Sequence, residues 1–216
     1  MSRTGHLAPV RAVLNMPRRR KRNRLAKQHA LMNAALKLFA TRGYDATTTR
    51  EIAASAGCAE GLIHRYFNGK SGLLIALMST YASQEVKDLS TSLPTESTLE
   101  GEVLQIVNWE VERIWKDRDM FRVTIPHAIL DPKVGKFVSK VGPQRHAKAI
   151  AERLRRHKDA GRIGNRQIEA ISNAIGAMGF IFGFMRPAVL GQDRKQAAAY
   201  ASEIARILSR GLTAAA

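Results

Sequence analysis

Residues 47–74 read TTTREIAASAGCAEGLIHRYFNGKSGLL, and this stretch decides the fold of the N-terminal part of the chain. Thr48 and Glu51 are three residues apart, so each side chain can accept the backbone amide of the other, which predicts the start of a helix. Gly57 follows where the apolar run stops, and glycine readily adopts the left-handed conformation that ends a helix. A second helix is predicted over residues 59–67. Two short helices joined by such a turn form a helix-turn-helix unit, whose second helix lies in the major groove of DNA.

The residues in and around this unit also carry a resemblance to a known family. The ordered set consists of Gly43, Tyr44, Thr47, Thr48, Thr49, Arg50, Glu51, Ile52, Ala53, Ala56, Gly57, Gly61, Tyr66, Phe67 and Lys70. With this spacing the segment 24–77 resembles the TetR-type (tetracycline-repressor-like) transcriptional regulators. The resemblance implies a homodimer with a small DNA-binding head and a larger helical body that binds a small ligand.

The charge of the chain is strongly positive and unevenly distributed. The 216 residues contain 35 Lys and Arg against 18 Asp and Glu, a formal net charge of +17. Residues 1–75 hold 14 of these basic residues but only 3 acidic ones. A positive field of this kind favours polyanions and predicts an affinity for DNA that falls steeply with salt.

The basic residues before the head predict a DNA-contacting arm. We interpret residues 1–23 as a disordered basic arm that enters an adjacent minor groove. The candidate contacts in and beside it are Arg18, Arg19, Arg20, Arg22 and Arg24. A solvated tail without fixed contacts and an organellar transit peptide are the alternatives, and Met16 is a second candidate start.

Several function classes lack support in the sequence. Cys58 is the only cysteine, which excludes an intrachain disulfide and favours a cytoplasmic protein. No apolar run approaches the roughly 20 residues of a membrane span, so no membrane association is expected. The six histidines show no metal-ligand spacing, and neither a phosphate-binding glycine loop nor a nucleophile motif occurs. We therefore expect no enzyme, no metal and no cofactor.

Helical periodicity extends along the rest of the chain. The first helix is predicted over residues 24–41, and Ser71 is predicted to cap a fourth helix. Beyond a linker at residues 90–97, further helices are predicted, of which one ends before Pro132, one begins at Pro143 and one is capped by Asn165. The sequence predicts an all-α fold of about nine helices, with a DNA-binding head at 24–75 and a ligand-binding and dimerisation body at 76–216.

The recognition helix supplies the candidate DNA contacts. Ala59, Glu60 and Gly61 lie at its start and are predicted to face base edges. Glu60 could accept a hydrogen bond from a cytosine amino group, or simply favour the helix dipole. The resemblance implies that Lys70 clamps a backbone phosphate. The remaining candidates are Thr48, Arg50, His64, Arg65 and Tyr66.

In the body, side-chain type and helical position suggest a pocket and a dimer interface. The pocket candidates are aromatic, soft or polar, although core packing is an alternative for each: Asn108, Trp109, Trp115, Met120, His127, Met178 and Phe182. Small residues on the last two long helices favour dimerisation over an approach to a ligand cavity. The interface candidates are Ile175, Gly176, Gly179, Gly183, Ala201, Ile204 and Leu208.

These features together predict a ligand-responsive transcriptional regulator. We expect a homodimeric repressor that binds a palindromic double-stranded DNA operator and is released by a small apolar or amphipathic effector. The alternative is a weakly specific, charge-driven nucleoid-type DNA binder without a ligand. A specific regulator would protect one site at high salt, whereas a charge-driven binder would protect none preferentially.

Overall fold

A computed structural model describes residues 18–156 and 164–214 of the chain, with side chains placed for 22–156 and 164–211. These described residues are helical almost throughout and contain no strand. The predicted all-α fold class is therefore confirmed. The chain divides into two compact units between Ala76 and Leu77, and we describe each unit by itself.

The described residues of the N-terminal unit form three helices and the start of a fourth. They are α1 (Arg18–Arg42), α2 (Thr49–Ser55), α3 (Gly61–Phe67) and the first residues of α4 (Lys70–Ser92). Leu31, Ile52, Ile63 and Leu73, one from each helix, are completely buried and form the centre of the unit. This small core holds α2 and α3 in the helix-turn-helix arrangement that the sequence predicted.

The first helix begins earlier than the sequence analysis expected. Residues 18–23 belong to α1, so this part of the predicted disordered arm is helical. Arginine and lysine are good helix formers, which is consistent with this earlier start. Residues 1–17 of the predicted arm lie outside the described residues, as do the side chains of Arg18, Arg19 and Arg20.

The C-terminal unit is built around a central helix. After the second part of α4 come α5 (Leu99–Lys116), α6 (Arg118–Leu130), α7 (Pro132–Val141), α8 (Pro143–Arg155), α9 (Asn165–Phe180) and α10 (Arg194–Ala214). Helix α9 continues as a π-helical stretch over Ile181–Val189. Helix α5 packs against both α9 and α10, and its apolar side chains at Val103, Ile106, Val107 and Val111 belong to the buried core.

Helix α7 was not predicted. Pro132 was expected only to end the preceding helix, yet it occupies the first turn of α7, where its missing amide costs nothing. The Asp131 carboxylate accepts the Lys133 amide at 2.8 Å and caps this turn. The same proline thus follows one helix and starts the next.

The glycines of α9 bring this helix close to α5 within the same chain. A Cβ atom at Gly179 would lie 2.9 Å from Cβ of Glu110, and one at Gly183 would lie 2.7 Å from the Val111 carbonyl oxygen. Ile175 and Ala201 are also completely buried in the body. The prediction that these four residues form a dimer interface is therefore wrong, because their surfaces are already covered within one protomer.

The segment Asn165–Val189 is long and apolar enough to span a membrane by length and composition, contrary to the expectation that no such run exists. Half of its most apolar window is buried inside the structure. Ile168, Ile171 and Phe182 belong to the hydrophobic core of the body. The segment therefore occupies the position of a core helix in a globular unit.

Candidate DNA-binding surface and ligand cavity

The start of α2 is fixed by a reciprocal cap. The Glu51 amide donates to Oγ1 of Thr48 at 3.2 Å, and the Thr48 amide donates to the Glu51 carboxylate at 2.8 Å. The hydrogen bonds from the Thr48 amide and hydroxyl, together with the charge of Arg42, hold the pKa of Glu51 below its usual value. The predicted capping box is confirmed, so Thr48 acts first as a helix cap.

The two helices meet through a turn and a side-chain hydrogen bond. Gly57 adopts a φ of 60°, in the left-handed region that favours glycine. At the start of α3, the Glu60 carboxylate accepts the hydroxyl of Thr49 at 2.6 Å. Glu60 is therefore held against α2, a role that the sequence analysis did not foresee.

One face of the helix-turn-helix unit is open to solvent. Ile63 anchors α3 in the core, while His64 and Arg65 beside it are exposed. The other exposed candidates are Thr48, Arg50, Ala59, Glu60 and Gly61. The structure thus brings the predicted base and phosphate contacts to the surface of the two helices.

Tyr66 and Arg24 form part of a more packed region. The Arg24 guanidinium lies over the Tyr66 ring at 5.1 Å from its centroid, and the Phe67 ring meets Tyr66 edge-on at 6.3 Å. Tyr66 and Phe67 are half-buried, whereas Arg22 is exposed. Arg24 therefore braces the end of α3 against α1 in addition to carrying charge.

Lys70 occupies a different environment from the one that the resemblance implied. Its ammonium group donates to the carbonyl oxygens of Tyr44 and Thr47, both at 2.9 Å, and lies 3.5 Å from that of Asp45. It also lies 4.3 Å from the centroid of the Tyr44 ring. Because an ammonium group has only three donors, these contacts use its capacity within the head. This geometry gives Lys70 a structural role in the α1–α2 loop and does not support the predicted phosphate clamp.

The turn between α3 and α4 imposes its own sequence requirements. Asn68 and Gly69 have φ values of 62° and 99°, and a Cβ atom at Gly72 would lie 1.6 Å from the Phe67 carbonyl oxygen. No side chain fits at Gly72 without moving the backbone. The tight turn explains why the unit is followed by an N-G-K-S-G sequence.

The body contains an apolar cavity of about 410 Å³, a size typical of small-molecule sites. Residues of α4 to α9 line it. The aromatic part of the wall consists of Tyr81, Phe121 and Phe180, whose rings follow one another at centroid distances of 6.0 and 5.9 Å.

A buried group of charged side chains lies at one wall of this cavity. Arg113 donates to the Tyr81 hydroxyl at 2.6 Å and to the carboxylates of Glu85 and Glu110 at 2.7 and 2.9 Å. The two nitrogens of His146 lie 3.3 Å from the Glu85 carboxylate and 2.9 Å from that of Glu110. We call Tyr81, Glu85, Glu110, Arg113 and His146 the polar cluster.

The members of the polar cluster shift one another's pKa. Burial alone would lower the pKa of His146, but its close contact with Glu110 and the charges of Glu110 and Glu85 outweigh burial and raise it. Burial alone would raise the pKa of Glu110, but its contacts with His146 and Arg113 outweigh burial and lower it. The pKa of Glu85 is raised by its burial.

The cavity has little in common with the predicted pocket. Met120 lines it, but Met178 and Phe182 are buried in the core. Asn108 is exposed and accepts the Ser202 hydroxyl at 2.7 Å. His127 is half-buried and is not among the described lining residues of the cavity. Met178, Phe182, Asn108 and His127 thus lie outside this cavity, because residue type alone does not separate a core or surface position from a cavity wall.

The two tryptophans line a separate, more open groove of about 790 Å³ in the body. The guanidinium groups of Arg118 and Arg194 lie over the Trp115 ring at 4.9 and 5.4 Å from its centroid. The Arg113 guanidinium lies 5.1 Å from the centroid of Trp109. The two tryptophans, which were predicted to line the ligand pocket, are therefore not among the residues lining the cavity and make cation–π contacts with arginine side chains.

Comparison with known proteins agrees with this architecture. The family model of bacterial regulatory proteins, tetR family, matches residues 31–77. YvkB, an uncharacterized HTH-type transcriptional regulator of Bacillus subtilis (strain 168), is 31% identical over 156 residues, which are 71% of this chain and 78% of that protein.

Two solved structures share the fold. A TetR-family transcriptional regulator from Syntrophomonas wolfei superposes with a TM-score of 0.73 at 17% identity, covering 86% of this chain and 96% of that one. FadR from Bacillus subtilis, determined in complex with stearoyl-CoA, gives a TM-score of 0.64 at 16% identity, covering 85% and 98% of the two chains.

The helix-turn-helix head and the helical body define a DNA-binding transcriptional regulator. The chain belongs to the TetR family of bacterial regulatory proteins. This is a family of transcriptional regulators and not of enzymes.

Proposed function

We propose that this protein is a cytoplasmic, homodimeric repressor that binds a palindromic operator and is released by a small apolar or amphipathic effector. The observation that carries the proposal is the apolar cavity in the body. A cavity of this size, bordered by a few polar groups, is what a small-molecule site requires. A charge-driven DNA binder does not require such a cavity.

On the DNA side, the proposal assigns base contacts to the start of α3. Gly61 allows a close approach of the backbone, and the exposed His64 and Arg65 follow on the same short helix. Arg50 and the basic residues at the start of α1 provide positive charge for contacts with DNA phosphates. Such contacts position the protein on the duplex without reading its base sequence.

The homodimer is supported by the outer face of α10. Ala197, Ala201 and Ala205 are completely buried on one side of this helix. Beside this buried strip, bulky apolar side chains are exposed at helical spacing: Tyr200, Ile204, Ile207 and Leu208. A contiguous apolar face on a soluble unit favours a second copy as its cover, and Ile204 and Leu208 were already predicted there.

The effector role is supported by the fold of a relative. FadR from Bacillus subtilis was determined with stearoyl-CoA and shares this fold. An effector that prefers the conformation unsuited to DNA lowers operator affinity by shifting the population of the two states. If the DNA-bound protein blocks transcription, its release by the effector permits gene expression, and this is why the proposed role is that of a repressor.

Selection from a randomised duplex library with the full chain tests the proposal. A homodimeric regulator should enrich a palindrome whose half-sites lie about one helical turn, roughly 10 base pairs, apart or a multiple of that distance. A library that remains unenriched at moderate salt would instead favour the charge-driven binder.

A further inference from the structure

The ionisable groups at the cavity wall narrow the chemistry of the ligand. Among the residues that the structure describes, the ionisable side chains lining the cavity are Tyr81, Glu85, Glu110 and His146, and neither lysine nor arginine lines it. This is notable in a chain with 35 Lys and Arg. A buried anionic ligand would therefore meet two carboxylates and no permanent positive charge at the wall.

The one buried guanidinium nearby is already engaged. Arg113 is bound to the Tyr81 hydroxyl and to both carboxylates, and it is not among the residues that line the cavity. With His146 protonated, the polar cluster holds two negative and two positive charges. With His146 neutral, it carries one uncompensated negative charge, which a buried site tolerates poorly.

The hydrogen-bonding capacity at the wall is incompletely used. Oε1 of Glu110 and both ring nitrogens of His146 are buried without a well-directed hydrogen bond, although the two side chains touch. Oγ1 of Thr124, also buried at the wall, has no hydrogen-bond partner. The oxygens of Glu110 and Thr124 can therefore accept hydrogen bonds from a ligand.

The aromatic wall is suited to the same kind of ligand. The aromatic side chains of Tyr81, Phe121 and Phe180 line the cavity together with the carboxylates. Aromatic faces attract organic cations through the ring quadrupole, and this attraction is strongest where water is excluded. Carboxylates and aromatic rings in the wall of an otherwise apolar cavity thus favour a ligand with a positive head and an apolar body.

We propose that the cavity binds an organic ammonium ion with an apolar body, whose charge lies against Glu85 and Glu110 and displaces the proton held by His146. This proposal rests on the proposed function and names the effector class. Ligand binding transfers one positive charge into the polar cluster, and the imidazolium gives one proton to the solvent, so that the cluster remains neutral.

A divalent metal ion is the competing occupant. One donor atom from each of Glu85, Glu110 and His146 lies within 4.8 Å of the others. The Arg113 guanidinium already binds both carboxylates, so a divalent ion would leave a net positive charge in the buried site. Charge balance therefore favours the monovalent organic cation.

Calorimetric titration of the full chain without DNA tests the ligand class. Three probes with the same chain length are compared: octyltrimethylammonium, octanoate and octanol, with Zn²⁺ alone as a fourth. We expect octyltrimethylammonium to bind at least about tenfold more tightly than octanoate or octanol, a difference of roughly 1.4 kcal/mol. Repeating the titration in buffers of different ionisation enthalpy should reveal proton release at a pH where His146 is charged. Octanoate binding as tightly as the cation, or a tight Zn²⁺ complex that excludes the cation, would overturn the proposal.

Point variants in and outside the cavity test where the probes bind. Glu110→Gln should weaken the cation at least about tenfold while leaving octanol binding unchanged, which also shows that the variant is folded. If that variant does not fold, Glu85→Gln replaces it, with the same expectation. Gly176→Leu should block all three octyl probes, because position 176 lines the cavity and its nearest neighbour is His146 at 4.0 Å. Glu152→Gln on the exposed side of α8 is the matched control and should bind as the wild type does.

A failure of the proposed ligand class can be distinguished from a failure of the proposed regulatory function. Operator binding is measured independently with the selected duplex. If the protein binds that duplex and is released by octanoate but not by octyltrimethylammonium, the ligand class is wrong and the regulatory function stands. If no duplex is selected, the regulatory function fails whatever the cavity binds.

Discussion

Nε2 of His146 on α8 lies 2.9 Å from Oε1 of Glu110 on α5, and both side chains are almost completely buried. The contact joins two helices that are distant in sequence and places an imidazole and a carboxylate at the wall of the cavity. Glu85 from α4 contacts His146, and Arg113 from α5 contacts Glu110 and donates a hydrogen bond to Tyr81 from α4. Proton binding at His146 is therefore coupled to the stability of the body.

This coupling predicts a pH-dependent stability with a definite sign. Since the pKa of His146 is raised in the folded chain, its contribution is fully present below the unfolded value of about 6.5 and is lost as pH rises through the folded pKa. Urea unfolding of wild type and His146→Gln should show a wild-type advantage at pH 6 that shrinks by pH 9. A constant difference across this range would contradict the coupling.

Lys70 offers a test that separates a structural role from a phosphate contact. Lys70→Met removes two hydrogen bonds from a charged donor to loop carbonyls, so the head should lose about 1.5–3 kcal/mol of stability. The slope of log affinity against log salt should stay unchanged, because no phosphate contact is lost. If stability is retained while the slope becomes shallower by about 1, Lys70 is a phosphate clamp after all.

Glu60 is predicted to influence base preference through its carboxylate. Glu60→Ala should relax the preference at one base pair of the selected operator, because a cytosine amino group would lose its acceptor. Thr49→Val is the matched control, since it removes the 2.6 Å hydrogen bond to Glu60 but keeps the carboxylate. Identical selection profiles for wild type and Glu60→Ala would leave Glu60 only its contact with α2.

Gly176 and Gly179 of α9 differ in whether a larger side chain fits at their positions. Gly179→Ala should destabilise the body by about 1–3 kcal/mol, because the new Cβ would lie 2.9 Å from Cβ of Glu110. Gly176→Ala should be neutral or slightly stabilising, because its nearest neighbour is 4.0 Å away. Urea midpoints measure both. If wild type and Gly179→Ala have equal urea midpoints but the variant no longer dimerises, Gly179 belongs to the dimer interface, as the sequence analysis predicted.

The local features of the head could be predicted from the sequence because they depend on neighbours in the chain. Thr48 and Glu51 form their cap across three residues, and Gly57 ends α2 by its own backbone conformation. The structural role of Lys70 could not be predicted in this way, since its partners lie more than 20 residues away. The family resemblance suggested a phosphate contact, and only the loop geometry reveals the carbonyl oxygens around the ammonium group.

Most of the cavity could not be predicted from the sequence, because the residues of its polar wall come from helices that are far apart in the chain. Glu85, Glu110 and His146 belong to α4, α5 and α8, and no spacing in the sequence connects them. One signal was present: Glu110 interrupts the apolar stripe of α5 between Val107 and Ile114. A charged residue on a buried face requires a partner, and searching for one would have led to the polar cluster.

The most direct test of the regulatory function compares the affinity of the full chain for its selected palindromic duplex with that for a scrambled duplex at about 200 mM salt. The structure, with an exposed helix-turn-helix face and an apolar face on α10, predicts two chains per duplex and a preference of at least about a thousandfold for the palindrome. Equal affinities for the two duplexes would contradict a sequence-reading regulator and leave only charge-driven binding.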